Sequence, residues 1–312
     1  MRFYVGVTDY DWFKIHSSKP GVEEVNFWKP SESGTFKALP VGGVFLFKLH
    51  SPRNSIVGGG FFTKFLQIPL SLAWEAFGEA NGAHTLSEMR SRISKYRRVP
   101  IGISDDPKIG CLILAEPFFF PESDWIPKPG DFKLNTVVGK TYDTEQVAGH
   151  RLWHQVNERL ISIQSDLPSP GPALAAMADA RYGKATLVMP RLGQGAFRVL
   201  VTDAYERRCA ITNERTLPVL EAAHIRPYAE GGSHELSNGL LLRSDLHTLF
   251  DRGYMTVDPN DKRILVSSKI REEFENGREY YQLHGRDLRL PANPMATPSI
   301  ESLRFHAENV FR

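Results

Sequence analysis

The segment from residue 217 to residue 253 constrains the fold more than any other part of the chain. It begins with the apolar run LPVLEAAHI, which predicts a strand that ends at His224. RPYAEGGSHELS has the composition of a loop, and NGLLL predicts a second strand. SDLHTLFDRG predicts a short helix, with Ser244 as its N-cap and Gly253 as its stop. The order strand, loop, strand, helix predicts one cleft surrounded by three polar side chains. These are His224, Asn238 and His247.

These three residues, with AAHIRPY before the loop and NGLLL before HTLFDRG, resemble the HNH (ββα-metal) nucleases. The similarity is closest to the branch found in modification-dependent restriction endonucleases. The preceding RLGQGAFRVLVTDAYERRCAIT also resembles that branch, so the resemblance covers roughly residues 188–312. It implies a ββα-metal domain that hydrolyses DNA with a divalent metal ion.

Phosphodiester hydrolysis takes an activated water, a cation at the developing negative charge, and help for the leaving 3′ oxygen. A neutral imidazole takes a proton from water near pH 7, so His224 is the candidate general base. The resemblance gives Asn238 the task of holding the loop and the base in place, and His247 that of metal ligand. Asp251 lies four residues later on the same helical face and would complete a site for Mg²⁺ or Mn²⁺. Asp251 as a helix-surface or capping residue is an open alternative.

One position departs from the family pattern. Many HNH nucleases carry Asp or His, a metal ligand, immediately before the general base, and this chain has Ala223 there. Either Asp251 compensates, or phosphate and water supply more of the metal ligands. Glu221 is a weaker substitute.

The loop between the two predicted strands holds further polar residues. Arg226 and Tyr228 are candidate DNA contacts that would grip a phosphate, although an exposed loop would carry such residues in any case. His234 is expected to be solvated. The two cysteines, Cys111 and Cys209, lack the paired spacing of a zinc knuckle, so no structural zinc is expected.

The first part of the chain is predicted to be mostly β. FYVGV, VFLFKLH, IVGGGFF and IGCLILAEPFFF are its clearest strands, with helices at LSLAWEAFGEANG and at TLSEMRSRISKYR, where Thr85 and Glu88 are in capping-box register. This pattern fits a small, strongly curved barrel with inserted helices. The expected fold class is therefore α+β, with an N-terminal barrel and a C-terminal ββα-metal domain.

NFWKP, VFLFKLH and SPRNSIVGGGFF resemble the PUA-like superfamily, in particular the EVE domains. The resemblance implies an aromatic pocket for a modified or flipped base, which is sandwiched by ring faces and recognised at its edge. Trp28 is the candidate face and Asn26 the edge contact, with Gly58–Gly60 permitting close approach of the backbone. Trp12, Phe36 and Phe61 are further pocket candidates, although most aromatic side chains of a barrel belong to its core.

The overall charge of +2 does not by itself indicate a nucleic-acid ligand. The densest basic segment, RSRISKYRR at residues 90–98, is either a phosphate contact or a solvated helix end. No apolar stretch is long enough to span a membrane, and no secretory signal is evident at the start of the sequence. We therefore expect a cytoplasmic protein without membrane contact.

The predicted organisation is a modified-base reader at residues 1–163, a linker at 164–190 and a nuclease domain at 191–312. The expected function is a restriction-type endonuclease that cuts double-stranded DNA carrying modified cytosine. One active site per chain suggests a homodimer for cutting both strands. Two alternatives stay open: a modified-nucleic-acid binding protein with a degenerate nuclease fold, and an RNA-directed HNH nuclease.

Overall fold

The computed structural model describes residues 1–31, 34–133, 135–136, 138–166, 172–179 and 190–312. The chain divides into two compact units, Met1–Gly193 and Gln194–Arg312. Most of the predicted linker at 164–190 lies outside the described residues, but Pro172–Asp179 forms a helix whose Ala173 and Leu174 are buried. No helix in the described ranges combines the length and the apolar character needed to cross a lipid bilayer.

The first unit is built around a mixed sheet with helices beside it. Its strands are β1 (Arg2–Thr8), β2 (Glu24–Lys29), β3 (Val44–Leu49), β4 (Ser55–Pro69), β5 (Lys108–Phe119), β6 (Ile126–Pro127) and β7 (Gly139–Asp143). Its helices are α1 (Tyr10–Ser17), α2 (Leu70–Phe77), α3 (Leu86–Arg97), α4 (Val147–Asp166) and α5 (Pro172–Asp179). The predicted strands and the two predicted inserted helices are all present.

The strand order in the sheet is β2-β5-β4-β3-β1-β7, with β6 paired to β4. Strands β1 and β3 run parallel, and the other pairs are antiparallel. The two ends of this order, β2 and β7, do not pair with each other in the part of the chain that the structure describes, so the closed barrel is not confirmed. The fold class of mixed α and β structure with a large mixed sheet is confirmed.

Both faces of this sheet are covered. Phe45 and Phe47 pack in an apolar cluster with Trp12 of α1, whereas Leu46 between them packs in a second cluster with Leu152 of α4. Every residue of β3 is therefore buried. Two-sided burial explains why this strand is an almost continuous apolar run in the sequence instead of an alternating one.

The N-terminus of α3 has the predicted cap with one change. The Thr85 hydroxyl accepts a hydrogen bond from the Glu88 backbone N–H at 3.1 Å. The Glu88 carboxylate reaches back to the N–H of His84, one residue before the N-cap, at 2.8 Å. Two otherwise unpaired backbone donors are thus satisfied at the start of the basic helix.

The second unit combines short strands and helices around one apolar core. Its elements are α6 (Gln194–Ala204), β8 (Leu220–His224), β9 (Gly239–Arg243), α7 (Ser244–Asp251), β10 (Met255–Val257), β11 (Ile264–Val266), α8 (Lys269–Phe274), α9 (Arg278–Tyr281) and α10 (Ile300–Asn309). The hairpin β8–β9 and helix α7 are the predicted strand, strand and helix. Ser244 is the first helical residue and makes no cap, contrary to prediction, while Gly253 follows the helix with a positive φ of 74°.

Candidate active site and base pocket

The hairpin β8–β9 places His224 and Asn238 at the same end of the second unit's small sheet. His224 is the last residue of β8 and pairs with Gly239, the first residue of β9. Helix α7 follows β9 directly and packs against β8, which brings His247 to the same side. The nearby Asp251 carboxylate raises the pKa of His224, and the nearby His247 lowers it. The structure thus brings the three predicted active-site residues into one neighbourhood.

His224 is held by contacts on its face and on its edge. Its ring stacks on the buried ring of Phe197 from α6, with the centroids 4.1 Å apart and an interplanar angle of 10°. Its Nε2 lies 2.9 Å from Nδ1 of His234. Burial and the neighbouring His234 lower the pKa of His224 to about 4, although the nearby Asp251 acts in the opposite direction. The imidazole is therefore neutral near pH 7.

Asn238 is a buried polar anchor of the loop between β8 and β9. Its Oδ1 accepts from the Arg226 backbone N–H at 2.9 Å. Its Nδ2 donates to the Arg226 carbonyl at 3.0 Å and to the Ser233 carbonyl at 2.9 Å. The side chain, only 3% exposed, therefore joins the segment just after His224 to the segment just before His234.

His247 lies between two carboxylates, one at each ring nitrogen. Nδ1 donates to Oε2 of Glu221 at 2.6 Å, and Nε2 lies 3.2 Å from Oδ2 of Asp251. Burial lowers the pKa of His247, but the hydrogen bonds to Asp251 and Glu221 outweigh it, so the pKa is raised overall. Glu221 and Asp251 do not converge on one nitrogen, and no group of three or more His, Cys, Asp or Glu side chains arranged to hold a metal is found among the described residues.

The two predicted DNA contacts lie on the loop, where Arg226 is engaged and Tyr228 is exposed. The Arg226 Nε donates to the Glu230 carbonyl at 2.8 Å, and its guanidinium lies over the Phe305 ring. Tyr228 is 55% exposed and stacks on His234 with the centroids 4.6 Å apart. The structure therefore leaves the Tyr228 side chain accessible and places part of Arg226 in local contacts.

The structure buries two members of the predicted base pocket, Asn26 and Phe61. Asn26 is fully buried, and its Nδ2 donates to Asn81 Oδ1 at 2.8 Å and to Cys111 Sγ at 3.2 Å. Phe61, 1% exposed, belongs to the core. Both side chains point into a protein interior that helices cover on each side of the sheet, so neither is available to a base.

Phe36 and the glycine run also differ from expectation. Phe36 packs on Tyr4 and Phe62, with centroids 5.2 and 5.0 Å away, and does not line the aromatic cavity described below. Close approach at Gly58 is to a neighbouring strand, because a Cβ there would lie 2.2 Å from the Phe118 carbonyl oxygen. The lack of a side chain at Gly58 therefore permits the close packing of two strands.

Trp28 and Trp12 do line a cavity of about 260 Å³ in the first unit. The indole Nε1 of Trp28 donates to the Asn81 carbonyl at 2.9 Å, which fixes one wall. Phe27 and Tyr96 add further aromatic surface, and the full lining is Val7, Thr8, Asp9, Trp12, Phe27, Trp28, Lys29, Pro30, His50, Arg92, Tyr96 and Val138. The Tyr96 hydroxyl donates to the Asp9 carboxylate at 2.6 Å. An aromatic pocket is therefore present, but with a different membership from the predicted one.

Sequence reasoning missed Asp9 and Tyr96 as members of this cavity and His234 as a partner of His224. Tyr96 lies in the basic segment RSRISKYRR, whose charges predict a phosphate contact or a solvated helix end and not a pocket wall. Arg92 and Arg97 of that segment donate to carbonyls of Gly82 and of Pro30. Part of the basic segment is thus bound to the protein itself.

Comparisons with known proteins bear on the second unit. Residues 209–258 match the family model of the HNH endonucleases. A solved structure titled "Modification dependent TagI restriction endonuclease" aligns over 97% of this chain and 82% of that chain at 12% identity, with a TM-score of 0.30, too low to carry an argument. No curated protein matches the sequence.

Proposed function

Residues 209–258 form an HNH endonuclease domain, and from this premise we propose that the protein is an endonuclease that hydrolyses phosphodiester bonds of double-stranded DNA. The observation that carries the proposal is the convergence of His224, Asn238 and His247 at one end of the β8–β9 hairpin and helix α7, inside the matched region. All three side chains are suited to this chemistry, and all three lie within the residues that match the family model.

His224 is the general base in this proposal. Its lowered pKa keeps the imidazole unprotonated at neutral pH, so it can take a proton from a water molecule. Stacking on Phe197 fixes the ring plane, and Asn238 fixes the backbone on either side of the loop. Orientation of the base before the reaction lowers the entropic part of the barrier.

His247 and Asp251 are the proposed metal ligands. The Nδ1–H of His247 points to Glu221, so in the neutral form of the ring Nε2 and the Asp251 carboxylate are two acceptors 3.2 Å apart. Two acceptors so close need a shared cation, either a proton or a metal ion, and imidazole nitrogen with carboxylate oxygen suits Mn²⁺ or Mg²⁺. When bound, the ion would supply positive charge at the phosphate.

Glu221 has a different proposed role from that of a ligand. A histidine that binds a metal commonly donates its other N–H to a carboxylate, which fixes the tautomer and the ring orientation. Glu221 makes this hydrogen bond to His247. The residue at the usual ligand position, Ala223, is fully buried and apolar, so we assign the remaining coordination positions to phosphate and water.

We further propose that the first unit recognises modified cytosine, in the manner expected of a PUA-like or EVE-like reader. The support is the aromatic cavity. Its volume of about 260 Å³ is below the roughly 300–1,000 Å³ of sites for drug-sized ligands. A cavity of this size suits a single pyrimidine ring. Trp28 and Tyr96 offer partly exposed ring surface for stacking, whereas Trp12 and Phe27 are buried in the wall of the cavity. The Asp9 carboxylate can accept from the exocyclic amine that cytosine has and thymine lacks.

A digestion panel tests both proposals. The purified protein with Mn²⁺ or Mg²⁺ is given matched DNAs carrying 5-methylcytosine, 5-hydroxymethylcytosine, its glucosylated form, phosphorothioate or no modification. We expect cutting of at least one modified-cytosine DNA and sparing of unmodified DNA. Equal cutting of all five DNAs would contradict the proposed reader and leave the nuclease in place.

The proposed homodimer is tested separately. Double-strand breaks made in one encounter would agree with it, and sedimentation of the protein bound to DNA would measure the oligomeric state directly.

A second candidate function is binding of modified nucleic acid by a degenerate nuclease fold. Its support is Ala223 at the usual ligand position, together with the small number of side chains near one possible metal position among the described residues. The protein would then bind modified nucleic acid without cutting it. In that case the metal would neither raise the melting temperature nor produce nicks, while modified DNA would still bind. An RNA substrate is tested by competition between duplex DNA and structured RNA for the same protein.

A further inference from the structure

His234 makes a contact that its position in an exposed-looking loop does not suggest. Its Nδ1 lies 2.9 Å from Nε2 of His224. A solvated residue is expected from the sequence, whereas the ring is partly buried and in contact with the proposed general base. A hydrogen bond between two imidazoles has a single proton between the two nitrogens, so one ring donates and the other accepts.

Both rings of this pair are held by independent contacts. His224 stacks on Phe197, and His234 stacks on Tyr228 with an interplanar angle of 11°. The Asn238 amide fixes the carbonyl of Ser233, the residue immediately before His234, at 2.9 Å. The pair is thus built into the folded loop and does not depend on a chance rotamer of one surface side chain.

The direction of the hydrogen bond decides whether His224 can act as a base. A neutral imidazole has one N–H and one unprotonated nitrogen. If His234 donated to Nε2, then His224 would have its own proton on Nδ1, and neither of its nitrogens would be free. If His234 accepts, His224 has its proton on Nε2 and its Nδ1 lone pair is free.

We propose that His234 is a positioning residue that accepts the Nε2 proton of His224 and thereby fixes the tautomer in which Nδ1 is the base. This inference rests on the proposed nuclease function. In the reaction, a proton passes from water to Nδ1 of His224, the water oxygen bonds to phosphorus, and the bond from phosphorus to O3′ breaks with its electron pair left on O3′. His234 keeps its own proton throughout and holds the resulting imidazolium by the same hydrogen bond.

The first test is a pair of substitutions in full-length protein, assayed on a supercoiled plasmid containing 5-methylcytosine or whichever modified cytosine of the panel is cut fastest. His234→Ala removes the acceptor, and we expect kcat to fall about 10- to 100-fold, the size of effect that hydrogen-bond partners of metal-bound histidines have, with KM within about twofold. His234→Asn restores an acceptor, because its Oδ1 and the histidine Nδ1 are both bonded to Cγ, and should recover most of kcat. Glu235→Gln, an exposed neighbour in the same loop, is the control.

The second test reports the tautomer without any cleavage. Long-range ¹H–¹⁵N correlation spectra of the metal-free protein, assigned with the His224→Gln variant, should show His224 protonated at Nε2. His234→Ala should give a mixture of tautomers, and His234→Asn should return the Nε2–H form.

Several outcomes would overturn the proposal. Unchanged kcat in His234→Ala, higher kcat in that variant, or an Asn variant as slow as the Ala variant would each show that acceptance of the proton is not its role. A spectrum with the proton on Nδ1 of His224 would do the same while the nuclease stands. Cleavage that survives His224→Ala would contradict the role of His224 as the base. Wild-type protein that cuts none of the DNAs would instead contradict the proposed function, so the failures are distinguishable.

Discussion

Glu221 on β8 and His247 on α7 are joined by a 2.6 Å hydrogen bond from the imidazole Nδ1 to the carboxylate. The opposite nitrogen, Nε2, faces Asp251 on its own helix. The two carboxylates thus contact the same ring at different atoms, and this separation gives them different expected roles.

Loss of either carboxylate should weaken metal binding, but by different amounts. For Glu221→Gln we expect about a 10- to 100-fold loss of Mn²⁺ affinity, because the amide still contacts Nδ1 but no longer holds the ring by its charge. For Asp251→Asn the loss should be larger, because a proposed ligand is removed. Calorimetric titration with Mn²⁺ measures both, and Glu308→Gln, an exposed charge removal on α10, is the control. Equal affinities in all three variants would contradict the assignment.

Removal of the base should separate catalysis from binding. His224→Ala should lower the cleavage rate by about 10²–10⁴-fold, the usual contribution of a general base. DNA affinity, measured by fluorescence anisotropy without added metal, should change by less than about threefold, because the ring lies against Phe197 and His234. A parallel loss of affinity would show that His224 holds the substrate instead.

Asn238 should be the most sensitive residue of the loop for stability. Asn238→Ala leaves the Arg226 N–H and the carbonyls of Arg226 and Ser233 without their partner. We expect about 2–4 kcal/mol lower free energy of unfolding, since each buried unpaired group costs about 1–3 kcal/mol and water will reach some of them. Urea unfolding followed by circular dichroism checks this. Asn309→Ala, at an exposed helix end, should change it by less than about 0.5 kcal/mol.

Stability of the first unit should depend on pH through His16. Burial, and then the charge of Lys19, lowers the pKa of His16 from 6.5 to about 3. Between those values the unfolded chain binds a proton that the folded unit does not, so His16 does not oppose folding above pH 6.5 and opposes it increasingly as the pH falls toward 3. The contribution is at most about 1.4 kcal/mol per pH unit.

His16→Leu should flatten this dependence, because leucine has no group to protonate beside the Trp12 and Phe119 rings. All five tryptophans of the chain, at positions 12, 28, 74, 125 and 153, belong to the first unit, so tryptophan fluorescence follows its unfolding selectively. His150→Leu, an exposed histidine in the same unit, is the control. The same pH slope in wild type and in His16→Leu would exclude His16 as the source.

Asp9 should matter for the choice of base and not for cutting as such. Asp9→Asn exchanges an acceptor-only carboxylate for an amide, and we expect about 5- to 50-fold weaker binding of modified-cytosine duplex, in the range of about 1–3 kcal/mol for one edge contact. Glu145→Gln, an exposed charge removal in the same unit, is the control. Anisotropy measurements in which Asp9→Asn binds modified and plain DNA as the wild type does would eliminate this cavity as the reader.

The sequence predicts the hairpin and helix of the nuclease unit well because their signals are local. A strand ending at His224, a second strand after Asn238 and a stop at Gly253 each depend on a few neighbouring residues. The contact of His234 with His224 cannot be predicted from a few neighbouring residues, because it depends on the path of the loop. That path is set by the carbonyls that Asn238 holds and by close packing at Gly232, where a Cβ would lie 2.0 Å from the Arg226 carbonyl oxygen.

The base pocket was harder to predict for a different reason. Alternation of apolar and polar residues along a strand distinguishes the inner face of a sheet from its outer face only when one face is exposed to solvent. In this sheet both faces are covered, so Asn26 and Phe61 are as buried as their neighbours. The cavity instead combines residues from distant segments, such as Asp9 before α1 and Tyr96 in α3, and no local pattern links them.

The three hydrogen bonds of Asn238 also separate the loop into parts with different freedom to change. Asn238 joins Arg226 to Ser233, so the residues between these two form a closed loop. The tip of this loop is at Ala229–Gly231. Under the proposed function, exchanged side chains at that tip would alter the surface offered to DNA, provided that Tyr228 beside it keeps its stacking contact with His234. New sequence preferences could therefore evolve, or be engineered, at the tip while the hydrolytic chemistry below it stays the same.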